Sequence, residues 1–268
     1  MKKDQAFEVN NSTPLVRGGV IKLGELFCLQ KYFPRDEEIV YRYTSYHNFE
    51  DLIKTGKLYL TRGDQFDEED NYEGSETQLS ARLRRAVHSS NAVDEIDRLY
   101  KRNRRCVAIN CWYVGAQESE LMWNKFAKKS DDIAIRTDVG KIRSALLSWD
   151  RYLCVRKMEY TENHADEFLK FGCPFFPFSI KRKKDFGSEN ELRIIYGEGK
   201  GCIDESPLYQ AQELADNNRK IFIDLKILID KIVLAPNSNS SVRKKVEKIL
   251  DGLDIPVVNS IFTNAKIP

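Results

Sequence analysis

Apolar residues recur along the chain at two spacings, one near 3.6 and one of 2, and they divide it into helices and strands. Residues 1 to about 38 mix polar and apolar positions, and Leu23, Leu26, Phe27 and Leu29 predict a short amphipathic helix over Ile21–Tyr32. From Ile39 the pattern changes. Ile39–Thr44 is rich in β-branched and aromatic residues and predicts a strand. Ser45–Thr55 carries Phe49, Leu52 and Ile53 on one helical face and is stopped by Gly56, and Leu58–Thr61 is a second strand. The short helix is expected to act as a crossover that brings the two strand ends close.

Further along, Leu79, Leu83, Ala86 and Val87 give a helix within Gly74–His88. Cys106–Trp112 reads as a strand and Ser119–Ala127 as a helix with Ser119 at its N-cap. Strands follow at Ile133–Thr137 and Leu153–Tyr160, with a helix at Val139–Leu147 between them. Pro174 and Pro177 break an aromatic stretch, after which a loop feeds a strand ending at Tyr196. In that strand Glu189, Glu191, Arg193 and Ile195 fall on one face, and Leu192, Ile194 and Tyr196 on the other. Strands at Ile221–Leu225 and Lys231–Leu234, a helix at Ser241–Leu250 and a strand at Ile255–Ile261 close the chain, the last three in a unit long enough for a parallel crossover. The predicted class is α+β with a mixed sheet and surrounding helices, organised as an N-terminal extension (1–38) and a single domain (39–268).

Composition adds bounds. The 268 residues are 41% hydrophobic and 31% charged, enough apolar mass for one large core under a solvated exterior. No run of about 18 apolar residues is present and polar residues follow Met1, so no membrane association and a cytoplasmic location are expected. The six cysteines contain no Cys-x-x-Cys and only three histidines accompany them, which favours reduced thiols over a metal centre. The 43 Lys and Arg against 41 Asp and Glu leave a net charge of +2, but this is a cancellation between segments. An acidic loop at 64–76 offsets a basic segment at 82–105, holding Arg84, Arg85, Arg102, Arg104 and Arg105, and the run Lys181, Arg182, Lys183 and Lys184. A local polyanion site therefore stays open.

Two patterns carry chemistry. Tyr41-Arg42-Tyr43-Thr44, with Asn48, Leu52-Ile53, Gly56 and Leu58 behind it, is similar to the opening of mono-ADP-ribosyltransferase folds, particularly the DNA-modifying toxins and the RNA phosphotransferase relatives. Arg42 stands where many of those enzymes have His. A guanidinium and a hydroxyl on one strand can hold a pyrophosphate and bond a ribose or carboxamide. The alternative is that Arg42 pairs with an acid of the 64–76 loop and Thr44 caps the following helix. The second pattern, Glu189-Asn190-Glu191, resembles the Glu-x-Glu signature of the same superfamily. Cleaving an N-glycosidic bond builds positive charge on the ribose, and a fixed carboxylate stabilises it. The alternative is two solvated acids pairing with Arg193 or Lys183.

From Tyr41 to Ile261 the chain also resembles a large bacterial family of unknown function, through Tyr41, Arg42, Tyr43, Gly56, Leu58, Leu60, Phe66, Asp67, Glu73, Leu121, Met122, Trp123, Ala127, Glu189, Glu191 and Arg193. It departs from that pattern in the order of residues 66–70 and in Phe186, where the family has Trp. Some members sit in phage-defence or toxin-antitoxin loci.

These resemblances imply an ADP-ribosyltransferase-like core and an enzyme that takes NAD as substrate, with no metal. Glu191 would be catalytic and Glu189 would act on the acceptor. Arg42 would hold phosphates, Tyr59 would pack on nicotinamide, Thr61 and Thr44 would bond the ribose or carboxamide, and Trp123 would stack on a ring. The implied partners are an RNA or DNA acceptor, read by the basic residues named above, and an antitoxin protein. Two other classes remain open, a noncatalytic nucleotide-sensing module using the same pocket and a divalent-metal nuclease built on the acidic loop. For Met122 and Phe126, at i and i+4 on one helical face, the expected place is the core.

Overall fold

The computed structural model describes residues 34–66, 73–74, 78–146, 153–161, 176–197, 212–216 and 218–263. The helix expected at Ile21–Tyr32, and with it most of the N-terminal extension, lies outside these residues. Pro34 to Glu38 belong with the domain: Asp36 pairs with Arg143, the Pro34 carbonyl accepts from the same guanidinium at 2.8 Å, and Glu38 accepts from Lys157 at 2.8 Å.

The strand, helix, strand opening forms as its residues dictate. β1 is Ile39–Thr44, α1 is Tyr46–Thr55 and β2 is Lys57–Arg62. Ser45, not Thr44, caps α1 by accepting from the Asn48 N–H at 3.2 Å. Gly56 ends it at φ 63°, a left-handed conformation in which its N–H closes on the Leu52 carbonyl at 2.9 Å. Next come α2 (Gln78–Val87), α3 (Ser90–Cys106), β3 (Val107–Val114), α4 (Glu120–Phe126), β4 (Ile133–Asp138) and α5 (Val139–Leu146). The predicted strand Leu153–Tyr160 is two, β5 (Leu153–Lys157) and β6 (Glu159–Thr161), and β6 pairs in parallel with β7 (Ile180–Arg182) in a small separate sheet. The chain continues with α6 (Lys183–Phe186), β8 (Glu191–Gly197), β9 (Asn218–Phe222), α7 (Leu225–Leu228), β10 (Lys231–Leu234), α8 (Ser240–Ile249) and β11 (Val257–Asn259). The class is α+β. The main sheet is antiparallel except for β10 and β11, joined by the expected parallel crossover.

The basic stretch at 82–105 carried no helix expectation beyond His88, yet Ser90–Cys106 is helical. Its apolar positions, Val93, Ile96 and Leu99 to Tyr100, do recur at helical spacing among the charges.

The order of the sheet is β11-β10-β4-β1-β3-β2-β9, with β8 paired to β3 and β5 paired to β8. β8 runs along one whole edge of β3, from Val107 opposite Gly197 to Tyr113 opposite Glu191. The other edge is shared. β1 takes its far end, pairing Val40 with Val114 and Tyr41 with Tyr113, and β2 takes its near end, pairing Thr61 with Ile109 and Arg62 with Ala108. The two strands are thus not brought together as a pair: each takes its own end of one edge of β3, and they splay apart between. Extending either ladder by two residues would bring both Tyr43 and Tyr59 onto Cys111. Side chains fill the gap instead: Arg42 Nη1 donates to the Cys111 carbonyl at 2.9 Å, and Asn110 Nδ2 donates to the Tyr59 carbonyl at 2.7 Å while its Oδ1 accepts from Trp112 Nε1 at 2.6 Å.

Because paired strand residues project to the same side, the register fixes what each face carries. One face presents Val40, Leu58, Leu60, Trp112, Ile135 and Leu192 to the main core under α1, α5, α7 and α8. The other presents Tyr41 and Tyr43 to α4, and Cys111, Glu191 and Arg193 beyond them.

Arg42→Leu is expected to leave the buried Cys111 carbonyl without its donor and to destabilise the fold by about 1–3 kcal/mol in urea unfolding. A loss indistinguishable from zero would show that the fork does not depend on this bond.

Candidate functional site

The chemistry collects around Arg193, whose side chain is 0% exposed. A guanidinium so placed must have every donor satisfied by an acceptor brought to it. Nε and Nη2 donate to Glu191 at 2.9 and 3.2 Å, Nη1 and Nη2 to Glu73 at 2.5 and 2.7 Å, and Nη1 to the Phe178 carbonyl at 2.8 Å. The register supplies one partner for nothing, since Glu191 and Arg193 are two residues apart on β8 and project together. Glu73 comes from 120 residues away.

Glycine allows that approach. At Gly74, φ is +69° and an added Cβ would lie 2.3 Å from the Phe178 ring, and at Gly63 it would lie 2.6 Å from the same ring. Phe178 therefore sits in a slot that only glycines leave open, with its carbonyl turned to Arg193 and Glu73 carried in beside it.

Glu189 joins from outside the strand. It ends a 3₁₀ turn, Gly187–Glu189, and Asn190 follows at φ 38°, a left-handed conformation that Asn tolerates better than most residues. Val114 N–H donates to the Asn190 carbonyl at 2.8 Å and Asn190 Nδ2 to the Val114 carbonyl at 2.5 Å, which locks the turn to the end of β3. The effect is to return Glu189 to the side on which Glu191 projects. Both carboxylates then meet Lys181, whose Nζ is 3.3 Å from Glu189, 3.5 Å from Glu191 and 3.9 Å from Glu73. Lys125, at the end of α4, closes on the other oxygen of Glu189. Among the described residues three carboxylates and three cations thus form one cluster, with the Tyr160 hydroxyl oxygen accepting from the Glu191 N–H at 2.8 Å.

Burial opposes the ionised form of Glu191, but Arg193 and Lys181 outweigh it and hold its pKa at about 2. It is a fixed anion at neutral pH and no general base. Burial likewise opposes the Lys181 ammonium, yet Glu191, Glu73 and Glu189 raise its pKa above the ordinary lysine value despite the nearby Arg193. The Cys111 thiol is pushed up, first by burial and then by Glu191, so it is no nucleophile.

The other residues singled out from the sequence fall in different places. Tyr59, 39% exposed, and Thr61 project from β2 on the same side of the sheet as Glu191, since Thr61 pairs with Ile109 and Ile109 with Ile195. Arg42 and Thr44 project to the opposite side, among Ile133 and Ile135 of β4. Among the described residues Arg42 meets no acid of the 64–76 loop; its guanidinium donates to the Cys111 carbonyl, and burial lowers its pKa. Trp123 is 1% exposed, lies edge-on to Tyr43 with centroids 4.9 Å apart, and donates Nε1 to Glu118 at 2.9 Å, so in this arrangement it offers no face for stacking. Met122 is in the core as expected, whereas Phe126 is 50% exposed because α4 ends beside it.

The basic residues do not form one surface. Lys181 is the mostly buried lysine of the cluster, Arg182 pairs with Asp185 at 2.8 Å, and Arg102 and Arg105 both reach Glu213, at 3.5 and 2.9 Å. Arg104 donates to the Gly63 carbonyl at 3.3 Å. Arg85, Lys183 and Lys184 are exposed, and Arg84 lies on α2 with its side chain outside the described residues. Of the acidic loop, Asp64 pairs with Arg62 at 2.6 Å and Glu73 serves Arg193, while residues 67–72 and 75–77 are outside the description.

Sequence reasoning missed Glu73, Lys125 and Tyr160 as members. Glu73 was marked by its match to the family pattern and its place in an acidic run, neither of which points to Arg193; Phe178 and the glycines around it give that signal once the fold is known. No known family model matches the chain, and no curated protein matches it. Among the described residues, no helix is long and apolar enough to cross a membrane.

Two outcomes follow from this geometry. Arg193→Met leaves two buried carboxylates without their main counterion and is expected to destabilise the protein by about 3–5 kcal/mol in denaturant unfolding. The depressed pKa of Glu191 contributes stability that is present above its ordinary value of 4.5 and is lost as pH falls toward about 2. Thermal unfolding measured across that interval should therefore fall more steeply for wild type than for Glu191→Gln, and parallel curves would show that Glu191 is not held ionised.

Proposed function

We propose that the protein is an NAD-consuming ADP-ribosyltransferase whose reacting centre lies at Glu189 and Glu191. The observation that carries this reading is the left-handed turn at Asn190, which converges both carboxylates of the Glu-x-Glu pattern on a single cationic group. A non-glycine residue held in that conformation beside paired, ordered acids is the kind of local strain that functional sites retain.

In the proposed step the bond between the ribose C1′ and the nicotinamide nitrogen breaks. The nitrogen keeps the electron pair and leaves as neutral nicotinamide, and the positive charge passes to the ribose. Glu191, ionised and pinned by Arg193, would stabilise that charge without a change of its own protonation. An acceptor nucleophile then bonds C1′ and gives up its proton to solvent water, with Glu189 to orient it. Tyr59 and Thr61, on the same side of the sheet as Glu191, would line the approach. Arg42 and Thr44 are not, and the reading assigns them no contact with NAD from where they stand.

The family resemblance supports this reading and extends it to a bacterial toxin or anti-phage role with an ADP-ribosyltransferase-like core. RNA or DNA as acceptor has weaker support, because most of the basic residues proposed to bind it are engaged within the protein. The second reading, a nucleotide sensor, uses the same cluster and needs no turnover.

Purified protein incubated with NAD labelled in the nicotinamide ring is expected to release free nicotinamide, and Glu191→Gln to lower that rate by at least about a hundredfold while still binding NAD. Absence of release by wild type in the presence of RNA, DNA and cell lysate, with NAD still bound, would select the sensor. Equal release by the variant would remove Glu191 from the mechanism.

A further inference from the structure

The Lys181 ammonium has no part in the step above, yet it holds the centre of the site. Glu189, Glu191 and Glu73 stand 3.3, 3.5 and 3.9 Å from Nζ, and the Phe186 ring closes a fourth side with its centre at 4.5 Å. Carboxylates joined by an aromatic face make a cage for a cation, and an organic cation with a flat or alkylated surface satisfies such a cage as well as an ammonium does. Lys125 approaches from outside, 42% exposed, and also lies 5.7 Å from the Phe186 ring.

We propose that Lys181 is an internal occupant of the substrate site, and that the cationic nicotinamide end of the substrate binds by exchanging with its ammonium. The inference rests on the NAD reading for the identity of the ligand. The cage itself rests on geometry alone. Lys181 is borne on β7, a strand of three residues in the small sheet, and its flexible stem lets the ammonium leave without movement of the main sheet. While it is in place the cluster is neutral, and a second cation gains little. When it swings out, Glu73, Glu189 and Glu191 face, among the described residues, Arg193 and Lys125, and the one negative charge these leave uncompensated lies in a largely desolvated setting where it attracts a cation strongly. Phe186 then offers its ring to the pyridinium. Occupancy by Lys181 would keep the idle site closed to other cations and would set substrate affinity below what the cage can give.

The test is Lys181→Met, which removes the charge and keeps the length of the side chain, titrated with N-methylnicotinamide cation and with neutral nicotinamide by calorimetry. The variant is expected to bind the cation at least about tenfold more tightly than wild type does, with no gain for neutral nicotinamide. Equal affinity of the two proteins for the cation overturns the inference, and so does an equal gain for both probes. If the variant does not fold, ammonium chloride, whose ion fits the vacated Nζ position, should restore its circular dichroism where sodium chloride at the same ionic strength does not, and failure of that rescue overturns the inference too. The two readings fail separately. A gain in cation binding without NAD cleavage sinks the transferase and leaves the cage, and NAD cleavage without the gain sinks only the role given to Lys181.

Discussion

A guanidinium without access to water is the constraint on which the rest of this site depends. Arg193 can be buried only if carboxylates and a carbonyl surround it, and each of those partners imposes a demand on a different part of the chain. Glu73 needs the turn at Gly74; the Phe178 carbonyl needs a ring slot at Gly63 and Gly74; Glu191 needs the strand register. Replacing such an ion cluster by apolar side chains is often neutral or favourable for stability, so its presence here is better explained by what it holds in place than by what it adds to the fold. What it holds is an anion at Glu191.

The fork in the sheet divides the residues that resemble transferase motifs. β1 and β2 share an edge of β3, and the register sends Arg42 and Thr44 to the side of the main core while Tyr59 and Thr61 face with Glu191. Arg42 answers a local need, the unpaired carbonyl of Cys111 at the point where the two strands diverge. A basic residue on that strand is therefore explained by the architecture itself. Its resemblance to a phosphate-binding position and its structural task are separate matters.

Much of the fold was legible because period and punctuation agree. β1, α1 with Gly56 after it, the Ser119 cap of α4 and the parallel crossover at the end all follow from spacing and capping chemistry. The Glu191, Arg193, Ile195 face could be read from a period of two. What could not be read depends on distance along the chain. The pairing of Glu73 with Arg193 is tertiary, and an acid in an acidic run gives no hint of which guanidinium it will meet. The exposure of Phe126 and the burial of Trp123 depend on where α4 stops and what lies beneath it. The left-handed turn at Asn190 lifts Glu189 out of the strand, a local departure that the alternation rule cannot anticipate.

Asn190, finally, bears on the order in which this protein becomes itself. Arg193 is the last of its own partners to be synthesised: Glu73, Phe178 and Glu191 all leave the ribosome before it. For the 120 residues between Glu73 and Arg193 the nascent chain carries an acid whose main counterion does not yet exist. The Asn190 turn ties the incoming β8 to Val114 of the earlier β3. The acids of the site and their central guanidinium therefore coexist only once residue 193 is made, and a chain interrupted between Glu191 and Arg193 has the acids of the site without the site.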